Sequence, residues 1–135
     1  MQKLTFTAIA VFAAVLVAFA STAAASGGSD DHGGRGGRAI TKTGTCSAVS
    51  HSKLKAKADD GWLETEFEVD QNRVGKRWRV TIVKNGSTVF RGIRTTHAPS
   101  GSFEVRRLLA GSSGRIVATA KAFGSGETCR ASISL

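Results

Sequence analysis

The most regular signal in the chain is alternation. From Lys53 to Val69, the stretch KLKAKADDGWLETEFEV sets three lysines at alternate positions, then an Asp-Gly pair, then three glutamates at alternate positions. Leu54, Ala56 and Ala58 fill the gaps in the first comb, and Leu63, Thr65 and Phe67 fill those of the second. Successive side chains on a strand point to opposite faces, so each comb reads as one strand with an apolar and a charged side. Asp60-Gly61 joins them as a two-residue type I′ hairpin, a turn that needs positive φ at both central positions. With Asp59 opposite Trp62, Lys57 meets Glu64, Lys55 meets Glu66 and Lys53 meets Glu68. On the other face Ala58 meets Leu63, Ala56 meets Thr65 and Leu54 meets Phe67. The charge ladder fixes the register and keeps the outer face soluble, although each exposed pair contributes only a few tenths of a kcal/mol.

The same period runs on toward the C-terminus. In Arg77–Ile82, Trp78, Val80 and Ile82 take the inward parity, and Asn85-Gly86 turns the chain into Ser87–Thr95. Ser102–Leu108 puts Phe103 and Val105 inside, and Arg115–Phe123 alternates around Ile116, Ala118 and Ala120. Thr128–Leu135 carries Cys129, Ala131, Ile133 and Leu135 on one side. Short strands separated by turn signals, with no helical period, predict an all-β fold: a seven-stranded Greek-key β-sandwich. The Lys/Glu hairpin belongs to one sheet, and the strands holding Trp78, Phe90, Lys121 and Arg130 belong mostly to the other. A plain two-residue register at Asn85-Gly86 points Phe90 outward.

The N-terminal part of the 135-residue chain follows a different pattern. Met1-Gln2-Lys3 gives a positive start, residues 4–20 form an uncharged apolar run, and Ala23-Ala24-Ala25 supplies a small-residue cleavage pattern. This is the signature of a secretory signal peptide, residues 1–25, whose removal leaves no transmembrane span; an uncleaved anchor is the alternative. Residues 26–39 hold six glycines in fourteen and form a flexible linker. Asp30, Asp31 and His32 offer metal-ligand chemistry there without a preformed geometry, so no metal and no cofactor is expected. The folded unit is residues 40–135, placed outside the cell.

Export also decides the chemistry of the two cysteines. An even pair in an oxidising compartment closes, so Cys46 and Cys129 are expected to form a disulfide across 83 positions. In the chain-entropy model such a bridge contributes roughly 4 kcal/mol. A metal pair or a redox site would call for Cys-x-x-Cys or a nearby histidine cluster, and the sequence has neither.

The run VDQNRVGKRWRVTIVKNG, the segment TTHAPSGSFEVRR and the closing GETCR together resemble small secreted actinobacterial proteins that carry one immunoglobulin-like or fibronectin-III-like domain after a signal peptide. The resemblance covers about residues 44–135. It implies an extracellular β-sandwich and carries over no catalytic residues.

Catalytic signatures are sparse. His32, His51 and His97 lie far apart in sequence, and AGSSG (110–114) has the wrong order for a Gly-x-Ser-x-Gly elbow. Glu64, Glu66 and Glu68 already face lysines on a flat surface, unlike paired acids around a cleft. Asp70-Gln71-Asn72-Arg73-Val74-Gly75 begins like a calcium loop, but Val74 and Thr81 fall where that loop needs oxygen ligands, so a loop capped by Asp70 and Asn72 is expected instead. Asn85-Gly86-Ser87 matches a glycosylation sequon and is read first as a turn.

Charge distribution is more informative. Residues 53–70 balance to −3 and residues 71–135 to +10, against +9 for the whole chain. Strand parity turns Arg77, Arg79, Lys121 and Arg130 outward together, making them the candidate anion-binding residues; no catalytic residue is assigned. The function expected is a non-enzymatic binding or cell-surface module that meets an anionic envelope polymer, extracellular nucleic acid or an acidic protein. The alternative is a carbohydrate-binding or inhibitor-like module, for which Trp62, sharing the face parity of Glu64, is the candidate aromatic. A hydrolase of unspecified type is the third class.

Overall fold

The computed structural model describes residues 37–135; the expected signal peptide and most of the expected linker lie outside the described residues. Nine strands form among the described residues: β1 (Ile40–Thr43), β2 (Thr45–Cys46), β3 (His51–Asp59), β4 (Trp62–Asp70), β5 (Arg77–Lys84), β6 (Ser87–Thr95), β7 (Ser102–Ala110), β8 (Arg115–Ala122) and β9 (Thr128–Ser134). All pairings are antiparallel. They build a four-stranded sheet in the order β1-β3-β4-β7 and a five-stranded sheet in the order β2-β9-β8-β5-β6. The sheets pack as a sandwich over one apolar core.

Strands β3 to β9 cover the stretches that alternation marks out, while β1 and β2 are additional. Ile40–Thr43 and Thr45–Cys46 carry no apolar alternation. They join by backbone pairing at the sheet edges, β1 onto β3 and β2 onto β9. Gly37 already donates its N–H to the Ala58 carbonyl at 2.8 Å, so the edge pairing begins before Ile40.

The β3–β4 register matches the charge combs pair for pair, from Lys53 opposite Glu68 to Asp59 opposite Trp62. Its turn has φ of 44° at Asp60 and 79° at Gly61, as a type I′ hairpin requires. The inward residues meet residues of the second sheet. Leu54, Leu63, Phe67 and Val69 on one side, and Trp78, Val80, Ile82 and Ile116 on the other, are all fully buried. Trp78 packs against Phe103 with ring centroids 6.1 Å apart, and its Nε1–H donates to Gln71 Oε1 at 3.3 Å, which satisfies the indole's one polar group.

One register differs from expectation. The β5–β6 hairpin starts with the plain pairing of Lys84 with Ser87, but a bulge follows, and Ile82 lies opposite Phe90 rather than Val89. One inserted residue reverses the parity of everything after it. Phe90 therefore points into the sandwich and is buried, not outward as the plain turn predicted, while Arg91 and Ile93 turn out. Packing explains the reversal. Phe90 closes the open edge between β6 and β7, with the guanidinium carbons of Arg94 and Arg107 4.9 and 4.4 Å from its ring centroid.

Gly44 sits where the chain passes from the first sheet, through β1, to the second, through β2. Its N–H donates to the Ser52 carbonyl at 2.8 Å. A Cβ placed there would meet Ser52 Oγ, lie 2.6 Å from the Arg130 carbonyl oxygen and 2.9 Å from the Ala131 Cβ. Those neighbours belong to β3 and β9, so no single side chain can move aside. Gly44→Ala is expected to destabilise the domain by about 1–3 kcal/mol, the usual cost of overpacking. Chemical denaturation checks this, and an unchanged midpoint would mean that the crossing is looser than it looks.

Candidate anion-binding face

Alternation on β5, β8 and β9 carries the site. Because Trp78, Val80 and Ile82 face the core, Arg77, Arg79 and Thr81 face out. Because Ile116, Ala118, Ala120 and Ala122 face in, Lys121 faces out. Because Cys129, Ala131 and Ile133 face in, Arg130 faces out. All four candidate cations are exposed. Pairing brings two of them together, since Arg79 lies directly opposite Lys121. Arg77 is the next outward position along β5. Arg130 stands apart from these three, opposite Thr119 on one side and Thr45 on the other.

Two residues that the sequence reading left out of the site join this face. The bulge in β6 brings Arg91 outward, opposite Thr81, so that Arg91, Thr81, Thr119, Arg130 and Thr45 form one row across the sheet. The two arginines stand three strand spacings apart in that row, about 14 Å. Phe123, just past the end of β8, takes the outward parity of Lys121. Its ring is 43% exposed, and the guanidinium carbons of Arg77 and Arg79 lie 5.1 and 5.3 Å from its centroid. Parity alone would have found Phe123; nothing in the local sequence announces Arg91.

The two sheets treat charge in opposite ways. The strands of the five-stranded sheet carry eight Lys/Arg and no acid, whereas those of the four-stranded sheet carry six of each sign. On the four-stranded sheet the charges pair: Lys53 Nζ lies 2.8 Å from Glu68, and the Arg106 guanidinium bridges Glu104 and Glu66, the latter at 3.4 Å. Burial, with a hydrogen bond to Glu104, pushes the Glu66 carboxyl above its ordinary value. Burial pushes Glu104 up as well, but hydrogen bonds from Arg106 and Glu66 and the Arg106 charge outweigh it and hold Glu104 low. The Glu68 hydrogen bond and charge raise Lys53. Glu66, Glu68 and Glu104 bring carboxylate oxygens within 4.8 Å of one another. Lys53 and Arg106 already form ion pairs with that cluster.

The acid in the turn between β8 and β9 is turned away from the basic face. Glu127, in the β8–β9 turn, is buried and accepts from the Ser50 N–H at 2.8 Å and the Ser50 hydroxyl at 2.9 Å. It pins the loop after the Cys46–Cys129 disulfide, which joins directly opposed residues of β2 and β9. This carboxylate thus has a structural role, and among the described residues the strands of the five-stranded sheet carry no acid.

A shallow concavity of about 270 Å³ opens beside Phe123, lined by Arg79, Lys121, Ala122, Phe123, Gly124 and Gly126. Another of about 500 Å³ lies at the Asp70 loop and is lined by Val49, His51, Asp70, Gln71, Asn72 and Arg73. The second holds one histidine and one acid, and Asp70 Oδ1 is already taken by the Asn72 N–H at 2.9 Å, the loop cap expected for this segment. His97 lies elsewhere, in the β6–β7 connection, where its backbone bonds Ser102 and Gly101. No protein-family model, curated protein or solved structure matches the chain.

Proposed function

We propose that the protein is a secreted, non-enzymatic binding or cell-surface module that engages anionic partners through the outer face of its five-stranded sheet. One observation carries this reading: four adjacent strands present Arg77, Arg79, Arg91, Lys121 and Arg130 outward with no acid among them, while ion pairs tie Lys53, Glu66, Glu68, Glu104 and Arg106 on the opposite sheet. A rigid sheet holds arginine forks at little ordering cost, which suits the phosphate or carboxylate groups of an envelope polymer, extracellular nucleic acid or an acidic protein. Export is supported by the leader-like pattern of residues 1–25 and by the disulfide, a bond that persists in oxidising compartments.

The fold assignment within sandwiches is also a proposal. Strands β3 to β9 lie three against four, β3-β4-β7 facing β9-β8-β5-β6, which supports the fibronectin-III-like member of the resemblance. The disulfide lies within one sheet, unlike the bridge between sheets of antibody domains. A carbohydrate platform finds less support, because the exposed aromatics Trp62 and Phe123 lie on the outer faces of different sheets and cannot share one ligand surface.

The test is salt-dependent retention on an immobilised polyanion and on envelope fractions. Several phosphate or carboxylate contacts imply affinity that falls by orders of magnitude between low and physiological salt. Retention that ignores salt, or none at low salt, would refute the basic-face reading.

A further inference from the structure

We infer that Arg77, Arg79 and Lys121, gathered around Phe123, form a discrete seat for a phosphate monoester; this rests on the polyanion reading and names the group held at its strongest point. The first reason is an uncompensated repulsion. Arg79 and Lys121 are a directly opposed cross-strand pair of like charge, an arrangement that destabilises a sheet. Their next outward neighbours across the sheet are Ile93 and Thr128, so no acid offsets it. On the other sheet the directly opposed like-charge pair Glu68 and Glu104 is offset by cations, Lys53 lying 2.8 Å from Glu68 and Arg106 pairing with Glu104. A bound anion supplies the missing counter-charge.

The second reason is preorganisation. Both guanidiniums are held against one aromatic ring, at 5.1 and 5.3 Å from its centroid, so each has lost part of its rotamer freedom before a ligand arrives. The third is room. The concavity of about 270 Å³ at Arg79 and Lys121 is rimmed by Gly124 and Gly126, whose φ values of 86° and 72° favour glycine, and a Cβ at either would have no neighbour within 4 Å. The turn therefore leaves the mouth of the concavity clear.

Counting charges and acceptors selects the ligand. A carboxylate satisfies one guanidinium fork with its two oxygens and leaves the remaining cations without an acceptor. A phosphate monoester brings a charge close to −2 and three acceptor oxygens, one for each of the three cationic groups. A diester, with a single charge and two free oxygens, fills the seat only in part.

The experiment is a titration of the folded protein, followed through backbone amide resonances, with inorganic phosphate, dimethyl phosphate and acetate at matched ionic strength. Phosphate should shift Gly124, Gly126 and the Arg79–Lys121 strand pair saturably, with dimethyl phosphate and acetate at least several-fold weaker. Equal responses to phosphate and acetate would overturn the assignment. Arg79→Gln should weaken phosphate about ten- to a hundredfold, the loss expected for charge-assisted hydrogen bonds. Phe123→Leu keeps every charge but frees both guanidiniums, so it should weaken phosphate about two- to fivefold. If phosphate gives no saturable response while polyanion retention persists, the seat is refuted and the broader face survives; if neither binds, both fail.

Discussion

Replacing Cys46 and Cys129 together by serine lowers the stability of the domain by roughly 4 kcal/mol, the loop-closure entropy that an 83-residue separation restores to the unfolded chain. For a unit of this size that corresponds to a fall in Tm of about 15–30 °C. The structure explains why the bridge matters locally as well. β2 is two residues long, too short to hold the sheet edge by backbone pairing alone, and Cys46 is one of those two residues. The loop that follows is fastened separately: Ser47 exchanges hydrogen bonds with Thr128 and Ser50 bonds Glu127. The double variant is therefore expected to fold with its core intact and its β2 edge loosened. Thermal melts of the two proteins, with hydrogen exchange at residues 45–50, measure both effects. A melt that does not move would mean that the unfolded chain gains nothing from the broken loop, and that the edge is held by Glu127 rather than by the disulfide.

Much of this architecture was legible in the sequence because it is local or nearly so. The β3–β4 register follows from Asp60-Gly61 and two interdigitated combs. The outward parity of Arg77, Arg79, Lys121 and Arg130 follows from the buried residues beside them. What was not legible depends on distant packing. The bulge that buries Phe90 and exposes Arg91 is favoured by Arg94 and by Arg107 of β7, a strand from the other sheet, and Asn85-Gly86 carries no trace of it. The short strands β1 and β2 exist by backbone pairing at edges, which leaves no hydrophobic period to read. Glu127 owes its burial to Ser50, 77 positions away. The charge segregation shows both sides of this. The excess of cations after residue 70 is plain from composition, yet the absence of acid from the outer face among the described residues required knowing that Glu104 joins the first sheet and that Glu127 turns inward.

That segregation makes the last prediction one about location rather than total charge. Arg77→Glu with Arg79→Glu, and Lys42→Glu with Lys55→Glu, change the formal charge by the same amount. The first pair reverses the centre of the acid-free face, and the second alters exposed positions on the four-stranded sheet. If binding depended on net charge alone, the two proteins would lose affinity equally. Two charge-assisted contacts at roughly 1.5 kcal/mol each amount to about a hundredfold loss for the Arg77/Arg79 variant, with little change for the other. The slope of log affinity against log salt should also become shallower by roughly 1.5, because two fewer phosphates are neutralised. Melting temperatures within a few degrees of wild type keep the comparison one of binding. Equal losses in the two variants would make the charge a diffuse attraction with no face of its own, and undiminished retention by the Arg77/Arg79 variant would move binding off this sheet altogether.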